Sequence, residues 1–290
     1  MPIFRSVILS DREWLHNLMC KSGTKNADFS FIHLYAWGPF YGVEISTDFP
    51  LPVISSIDKG ERVYAVPYFD KGTIDMLLHE YPELTLQSLS PDDVRKTEEQ
   101  YPGLFEFTPQ TELFDYVYSA EKLATLTGKK LHAKRNYINR FEADNNWDFK
   151  PVNEANIEDC RMLDRLWSSE RTAEGEAEVI DKALNEFTEL RLDGGVLYVE
   201  GQPIAFTLGE RVCCDTFIVH FEKAVTDIEG AYPMINREFV RHILIKYPEV
   251  KYINREEDMG LENLRKAKRS YYPDLMVEKY QAKAKRQETA

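Results

Sequence analysis

Between Glu121 and Phe141 the chain places Lys122, Lys129, Lys130, Lys134, Arg135 and Arg140 against a single carboxylate, Glu121. The whole protein has 36 basic and 49 acidic residues and a net charge of -13. Positive charge kept locally against such a background suits a phosphate or carboxylate partner. It equally suits a cationic helix face paired to acidic neighbours, and the letters do not separate the two. A second set lies in DTFIVHFEKAVTDIEGAYPM, from Asp215 to Met234. Strand alternation assigns Phe217, Val219 and Phe221 to one face and Ile218, His220 and Glu222 to the other. His220 and Glu222 then share a side, one as base and one as orienter, although such a pair is also common on an exposed strand face. A third set is INREEDMGLENLRKAKRSYYP, where Asn254, Glu256, Glu257 and Asp258 sit just past a strand, the end at which open sheets hold ligands. These acids suit an ammonium, and the bases that follow (Arg265, Lys266, Lys268, Arg269) suit a phosphate. Surface ion pairs of small value give the same pattern.

The elements that must position these groups are visible in outline. FPLPVISSIDKGERVYAVPYF reads as two strands about a turn at Asp58–Gly60, and Phe29–Tyr41 is strand-like in residue type. Ser90, Pro91 and Asp93 cap a helix, and Thr73–Tyr81 begins another. Further on comes a helix starting at 119–126, punctuated by Gly128 and continuing over 130–142, then helices at 156–169 and 176–190 and strands 195–200, 202–210 and 212–221. A helix at 232–246, a strand at 250–254, a helix at 260–270 and a strand at 275–280 complete the order. Gly194–Gly195 reads as a turn and the polar stretch 281–290 as a frayed tail. Strands interleaved with helices argue for a layered α+β architecture with a mixed sheet. The loop before the 232–246 helix holds Asp227, Glu229 and Gly230. Free N–H groups at that helix start can hold a phosphate or an acyl oxygen, but the two acids repel phosphate, and Pro233 fits a plain helix start.

Walker, dinucleotide, GxSxG, HExxH and zinc-spaced cysteine motifs are absent. Cys20, Cys160, Cys213 and Cys214 lack metal spacing, which fits a reduced, cytoplasmic protein without a metal. No apolar run is long enough to span a bilayer, and no signal peptide is evident. The acidic total lowers the expectation of general nucleic-acid binding, and none of DNA is expected.

YSAEKLATLTGKKLHAKRNYINRF and NREEDMGLENLRKAKRSYYPDLMVEKY resemble the two signature blocks of the bacterial phosphatidylglycerol lysyltransferase C-terminal-like family, domain of unknown function 2156. The resemblance implies two GNAT-like acyl-CoA N-acyltransferase modules, 1–110 and 111–290, each a mixed central sheet flanked by helices. It implies a transferase that moves an acyl or aminoacyl group from acyl-CoA or aminoacyl-tRNA to an amine or hydroxyl on a small molecule, peptide or lipid headgroup. In that scheme Phe217, Ile218 and Val219 line the donor at the splayed strand, and Gly230, Ala231 and Tyr232 face its pyrophosphate. Tyr271 or Tyr272 returns the proton to the leaving group, and His220, Glu222 or Glu256 takes one from the nucleophile. Lys129, Lys130, Lys134, Arg135 and Arg140 form the set facing phosphate or tRNA. GNAT pyrophosphate loops are basic and rich in glycine, whereas Thr226–Ala231 has two acids and one glycine. The reading from a different class is a protein that binds a peptide, amino acid or tRNA end without turnover.

Overall fold

The computed structural model describes residues 1–168 and 175–285. Two compact units emerge: Met1–Asp115 with Glu257–Leu261 and the chain from Met276 onward, and Tyr116–Glu256 with Glu262–Leu275. Each is built on a mixed sheet flanked by helices, an α+β fold.

The first unit contains β1 (Arg5–Ser6), α1 (Arg12–Ser22), α2 (Gly38–Tyr41), β2 (Glu44–Ser46), β3 (Val53–Asp58), β4 (Glu61–Ala65), α3 (Lys71–Glu80), β5 (Thr85–Leu89), α4 (Pro91–Gln100) and β6 (Phe105–Pro109). The second contains β7 (Asp115–Ser119), α5 (Ala120–Thr125), α6 (His132–Asp144), β8 (Trp147–Pro151), α7 (Ile157–Ser168), α8 (Glu176–Asn185), β9 (Asp193–Val199), β10 (Gln202–Cys213), β11 (Thr216–Ala224), α9 (Ala231–Lys246), β12 (Tyr252–Asn254), α10 (Glu262–Arg269) and β13 (Leu275–Val277). β14 (Tyr280–Ala284) returns to the first sheet, whose order is β1-β2-β3-β4-β5-β14-β6; the second runs β13-β7-β12-β11-β10-β9-β8. β4 pairs parallel with β5 and β11 with β12, each pair joined in the chain through a helix, α3 or α9.

Local signals explain several boundaries. Ser90 Oγ accepts from the Asp93 amide at 3.2 Å while Asp93 Oδ2 accepts from the Ser90 amide at 2.9 Å, a reciprocal cap for α4. Asp70 caps α3 through the Thr73 amide at 2.8 Å. Other expectations are corrected. Phe29–Tyr41 is helical, with a wide turn over His33–Trp37 running into α2. Its rings meet at helical spacing, Phe31 stacked on Tyr35 at 5.2 Å and Trp37 on Tyr41 at 6.0 Å, so residue type misleads there. Gly194 and Gly195 lie inside β9 because Phe149 fills the space a Cβ on Gly195 would take, 2.4 Å away. Gln281–Ala284 belongs to a strand paired on both sides, between β5 and β6, not a frayed tail; residues 286–290 and Ser169 lie outside the described residues.

The second core joins the α9 stripe (Met234, Ile235, Phe239, Val240, Ile243) to Tyr118, Phe217, Val219, Ala224 and Ile253 of the sheet. Burial of this stripe is what orients α9 over the parallel strand pair.

Candidate functional site

β11 and β12 pair over Thr216–Tyr252, Phe217–Ile253 and Ile218–Asn254, and the ladder ends there. Phe217 and Ile218 are therefore paired with strands on both sides, and the opening between the strands starts beyond them. On the β10 side the register skips, with Leu208 opposite Phe221 and Gly209 opposite Val219, so His220 is an extra residue. Such a bulge inverts the alternation that follows it. Phe217 and Val219 face α9 before the bulge; Glu222 and Ala224 take that side after it. The sharing of one face by His220 and Glu222, expected from strict alternation, is thereby corrected. Gly209 makes the bulge possible, since a Cβ there would stand 2.2 Å from the Ile218 carbonyl oxygen.

On the α9 side, Glu222 lies at the centre of a polar cluster enclosed by the core. Arg255 Nη2 donates to its Oε1 at 2.7 Å and Asn236 Nδ2 to its Oε2 at 3.0 Å. Arg255 is placed by continuation of β12 beside β7: its amide donates to the Tyr116 carbonyl at 3.0 Å, and its own carbonyl accepts from Lys268 Nζ at 2.5 Å. Its guanidinium faces the Tyr271 ring at 5.1 Å, and Lys134 Nζ lies 4.2 Å from the same ring's centroid. Tyr271 is buried and meets Tyr118 edge-on at 6.3 Å, and burial raises its phenol well above the ordinary range. Among the described residues, three buried polar atoms around this cluster have no protein hydrogen-bond partner: Arg255 Nη1, Asn236 Oδ1 and Thr207 Oγ1, the last directly across the ladder from Glu222. Buried polar atoms without a protein partner are met by an ordered water or a ligand, or mark a working site. Sequence reading missed Arg255, Asn236 and Thr207.

His220 and Glu256 occupy the other side. His220 Nδ1 is 2.7 Å from Glu256 Oε1 and its Nε2 is 3.3 Å from Glu210 Oε1, with His220 and Glu210 both buried. Burial alone would lower the imidazole pKa, but hydrogen bonds to Glu210 and Glu256 overcome it and raise the value from 6.5 to about 9. At neutral pH His220 is thus an imidazolium clamped between carboxylates. Because the folded value exceeds the unfolded one, its contribution of about 3 kcal/mol is complete below the unfolded value and disappears as pH rises through the folded one. The stability gap between the wild-type chain and His220→Gln is expected to shrink from pH 6.5 to about 9, measured by urea unfolding. A gap constant with pH would show the ring to be neutral throughout.

The basic segment divides. Lys129, Lys130 and Arg140 are exposed, and Arg140 Nη1 stands 3.8 Å from Glu229. Arg135 is spent on structure: its Nη1 donates to the Leu126 carbonyl and, at 2.8 Å, to that of Gly128, closing the end of α5. Lys134 turns inward to the cluster just described. Tyr272 is exposed at φ +54°, with Lys130 Nζ 5.2 Å from its ring and its carbonyl accepting from Lys122. It is Tyr271, not Tyr272, that meets Arg255 and Lys134. At the start of α9, Gly230 has φ +90°, and a Cβ there would lie 2.9 Å from the Tyr137 carbonyl oxygen and 3.1 Å from Phe141 Cβ. α6 therefore covers that helix start, and Ala231 is buried. Tyr232 accepts a hydrogen bond from Trp167 Nε1 at 3.3 Å. Among the described residues no group of three or more His, Cys, Asp or Glu is arranged to hold a metal ion, and no helix is long and apolar enough to cross a membrane.

Two mixed sheets flanked by helices, each with a parallel strand pair joined through a helix, are consistent with tandem GNAT-like modules. The chain belongs to the phosphatidylglycerol lysyltransferase, C-terminal, family, which matches residues 22–283. It is 35% identical to a conserved protein of unknown function from Bacteroides thetaiotaomicron VPI-5482, with a TM-score of 0.91 over 98% of this chain and 100% of that one. L-PGS from Bacillus licheniformis shares the fold at 14% identity, with a TM-score of 0.65 over 96% of this chain and 93% of that one. An uncharacterised protein of Mycoplasmoides gallisepticum is 24% identical over 179 residues, 58% of this chain. The chain spans 56% of the length of that curated relative.

Proposed function

We propose that this chain is an aminoacyltransferase that moves an aminoacyl group from aminoacyl-tRNA to an amine or hydroxyl acceptor, with the reaction at the Glu222–Arg255 cluster. The carrying observation is the grouping of three unpartnered buried polar atoms, one donor and two acceptor-capable, around a single carboxylate. An aminoacyl ester has the complementary pattern. Its ammonium suits Glu222, Asn236 Oδ1 and Thr207 Oγ1, and its carbonyl, which becomes an oxyanion during attack, suits Arg255 Nη1. The apolar floor of Phe217, packed on Phe239 at 5.6 Å, keeps water from the other side.

Two features favour tRNA over CoA as donor. The helix start that would hold a CoA pyrophosphate is covered by α6 and flanked by Asp227 and Glu229. The exposed Lys130 stands beside the exposed ring of Tyr272, with the exposed Lys129 next to it in the chain, a combination suited to phosphates and a stacked base. Bulk aminoacyl-tRNA is expected to bind with an affinity that falls roughly tenfold on tripling the salt. It should lose its amino acid to added ethanolamine or glycerol, and Lys129→Ala with Lys130→Ala should weaken binding without altering the fold. Micromolar acetyl-CoA binding by calorimetry with no tRNA binding would replace the donor. Binding of aminoacyl-tRNA without transfer would move the reading to a non-catalytic binding protein.

A further inference from the structure

We propose that Lys134 is the group that exchanges the proton with the reacting amine or hydroxyl; the assignment rests on the aminoacyl-transfer reading above. In the sequence Lys134 belongs to the basic stretch, but its side chain parts from Lys129, Lys130 and Arg140 and runs in over the Tyr271 ring. Among the described residues its Nζ makes no hydrogen bond or ion pair. The charged and titratable groups facing it are Arg255 beyond β12, Glu222 on β11 and Tyr271 beyond α10, with Tyr118 of β7 edge-on to the Tyr271 ring. Each is unsuited to taking a proton at neutral pH. Arg255 stays charged, Glu222 is committed to Arg255 and Asn236, and both phenols hold their protons more tightly than usual, chiefly because they are buried. His220 is on the opposite face and already protonated.

Lys134 differs from these. Burial first, and repulsion by Arg255 second, lower its pKa from 10.5 to about 8, with Glu222 pulling the other way. An amine with that value has enough neutral form to accept a proton and is acidic enough to return it. The neutral Nζ takes the proton of the acceptor N–H or O–H as the acceptor's lone pair bonds to the acyl carbon. The ester C–O bond then breaks, the departing ribose oxygen receives that proton from Nζ, and Lys134 ends neutral as it began.

Two measurements on the full chain test this, with tRNA binding measured directly alongside so that failure of the donor reading is told apart from failure of the lysine's role. Competitive labelling with trace acetic anhydride, read by peptide mass spectrometry, is expected to give Lys134 a midpoint near 8 and protection by bulk aminoacyl-tRNA. A midpoint at the ordinary lysine value, or labelling unaffected by tRNA that is shown to bind, overturns the assignment. In single-turnover transfer, Lys134→Arg is expected to lower the rate by roughly a hundredfold or more, with donor affinity changed little and the rising pH limb abolished. A limb retained in Lys134→Arg also overturns it. Absence of tRNA binding with Lys134 still titrating near 8 would instead remove the aminoacyl-tRNA reading and, with it, this role.

Discussion

Lys279→Met is expected to lower stability by about 3–5 kcal/mol, the usual cost of leaving buried carboxylates without their cation. Within the first unit Lys279 Nζ lies 2.6 Å from Asp28 Oδ1 and 2.7 Å from Asp115 Oδ1, with Lys279 and Asp115 both fully enclosed. Burial would lower the lysine pKa, but Asp115 and Asp28 more than reverse it, so the ammonium is held firmly. The carboxylates are themselves anchored. Asp115 accepts from the Ala27 amide at 2.8 Å, and Asp28 accepts from Ser88 Oγ at 2.5 Å. One lysine thus ties β14 to the Ala27–Phe29 turn, the end of β5 and Asp115 within that unit. Its removal should lower the melting temperature by roughly 10 °C and speed amide exchange along β14. The deficit should also shrink in acid. Asp115 already titrates above the ordinary aspartate value because it is buried, and once protonated it tolerates burial without a cation. A loss below about 1 kcal/mol, with exchange in β14 unchanged, would show that the cluster is replaceable.

What could be read from the letters follows the distance over which each feature is determined. The α4 cap and the β3–β4 turn are local, and Ser90, Pro91, Asp93 and Asp58–Gly60 announce them. β14 is not local: it inserts between strands that end at Leu89 and Pro109, about 170 residues or more upstream, and nothing in its own composition says so. The bulge at His220 had one trace, a glycine within the β10 pattern, and that trace separates His220 from Glu222. Arg255 was hidden in a run of charges that reads as surface, although it continues the buried side of β12 one alternation beyond Ile253. Asn236 had a clearer mark, a polar residue on the apolar stripe of α9 beside Phe239 and Val240. The family blocks led to the correct fold, but the atoms that form the cluster become evident only when helix, bulge and strand end are assembled.

Arg255→Met is expected to lower single-turnover aminoacyl transfer by roughly 100- to 1,000-fold, the range seen when a preorganised oxyanion donor is removed. The same change leaves Glu222, 8% exposed, with Asn236 as its remaining donor, so stability should fall as well, by about 3 kcal/mol. The two effects can be separated. Glu222→Gln in the Arg255→Met background removes the orphaned charge while keeping a side chain of the same shape, so urea unfolding should return most of the lost stability. Transfer should not return, because Nη1 and its charge are still missing. Arg255→Lys is an intermediate case: it keeps a cation over Tyr271 but not the fork that binds Glu222 through Nη2 while leaving Nη1 free. Its activity should lie nearer that of Arg255→Met than that of the wild-type chain. Recovery of transfer in the stabilised double variant would reduce Arg255 to a structural partner of Glu222. Continued loss with restored stability would locate the reacting carbonyl at Nη1.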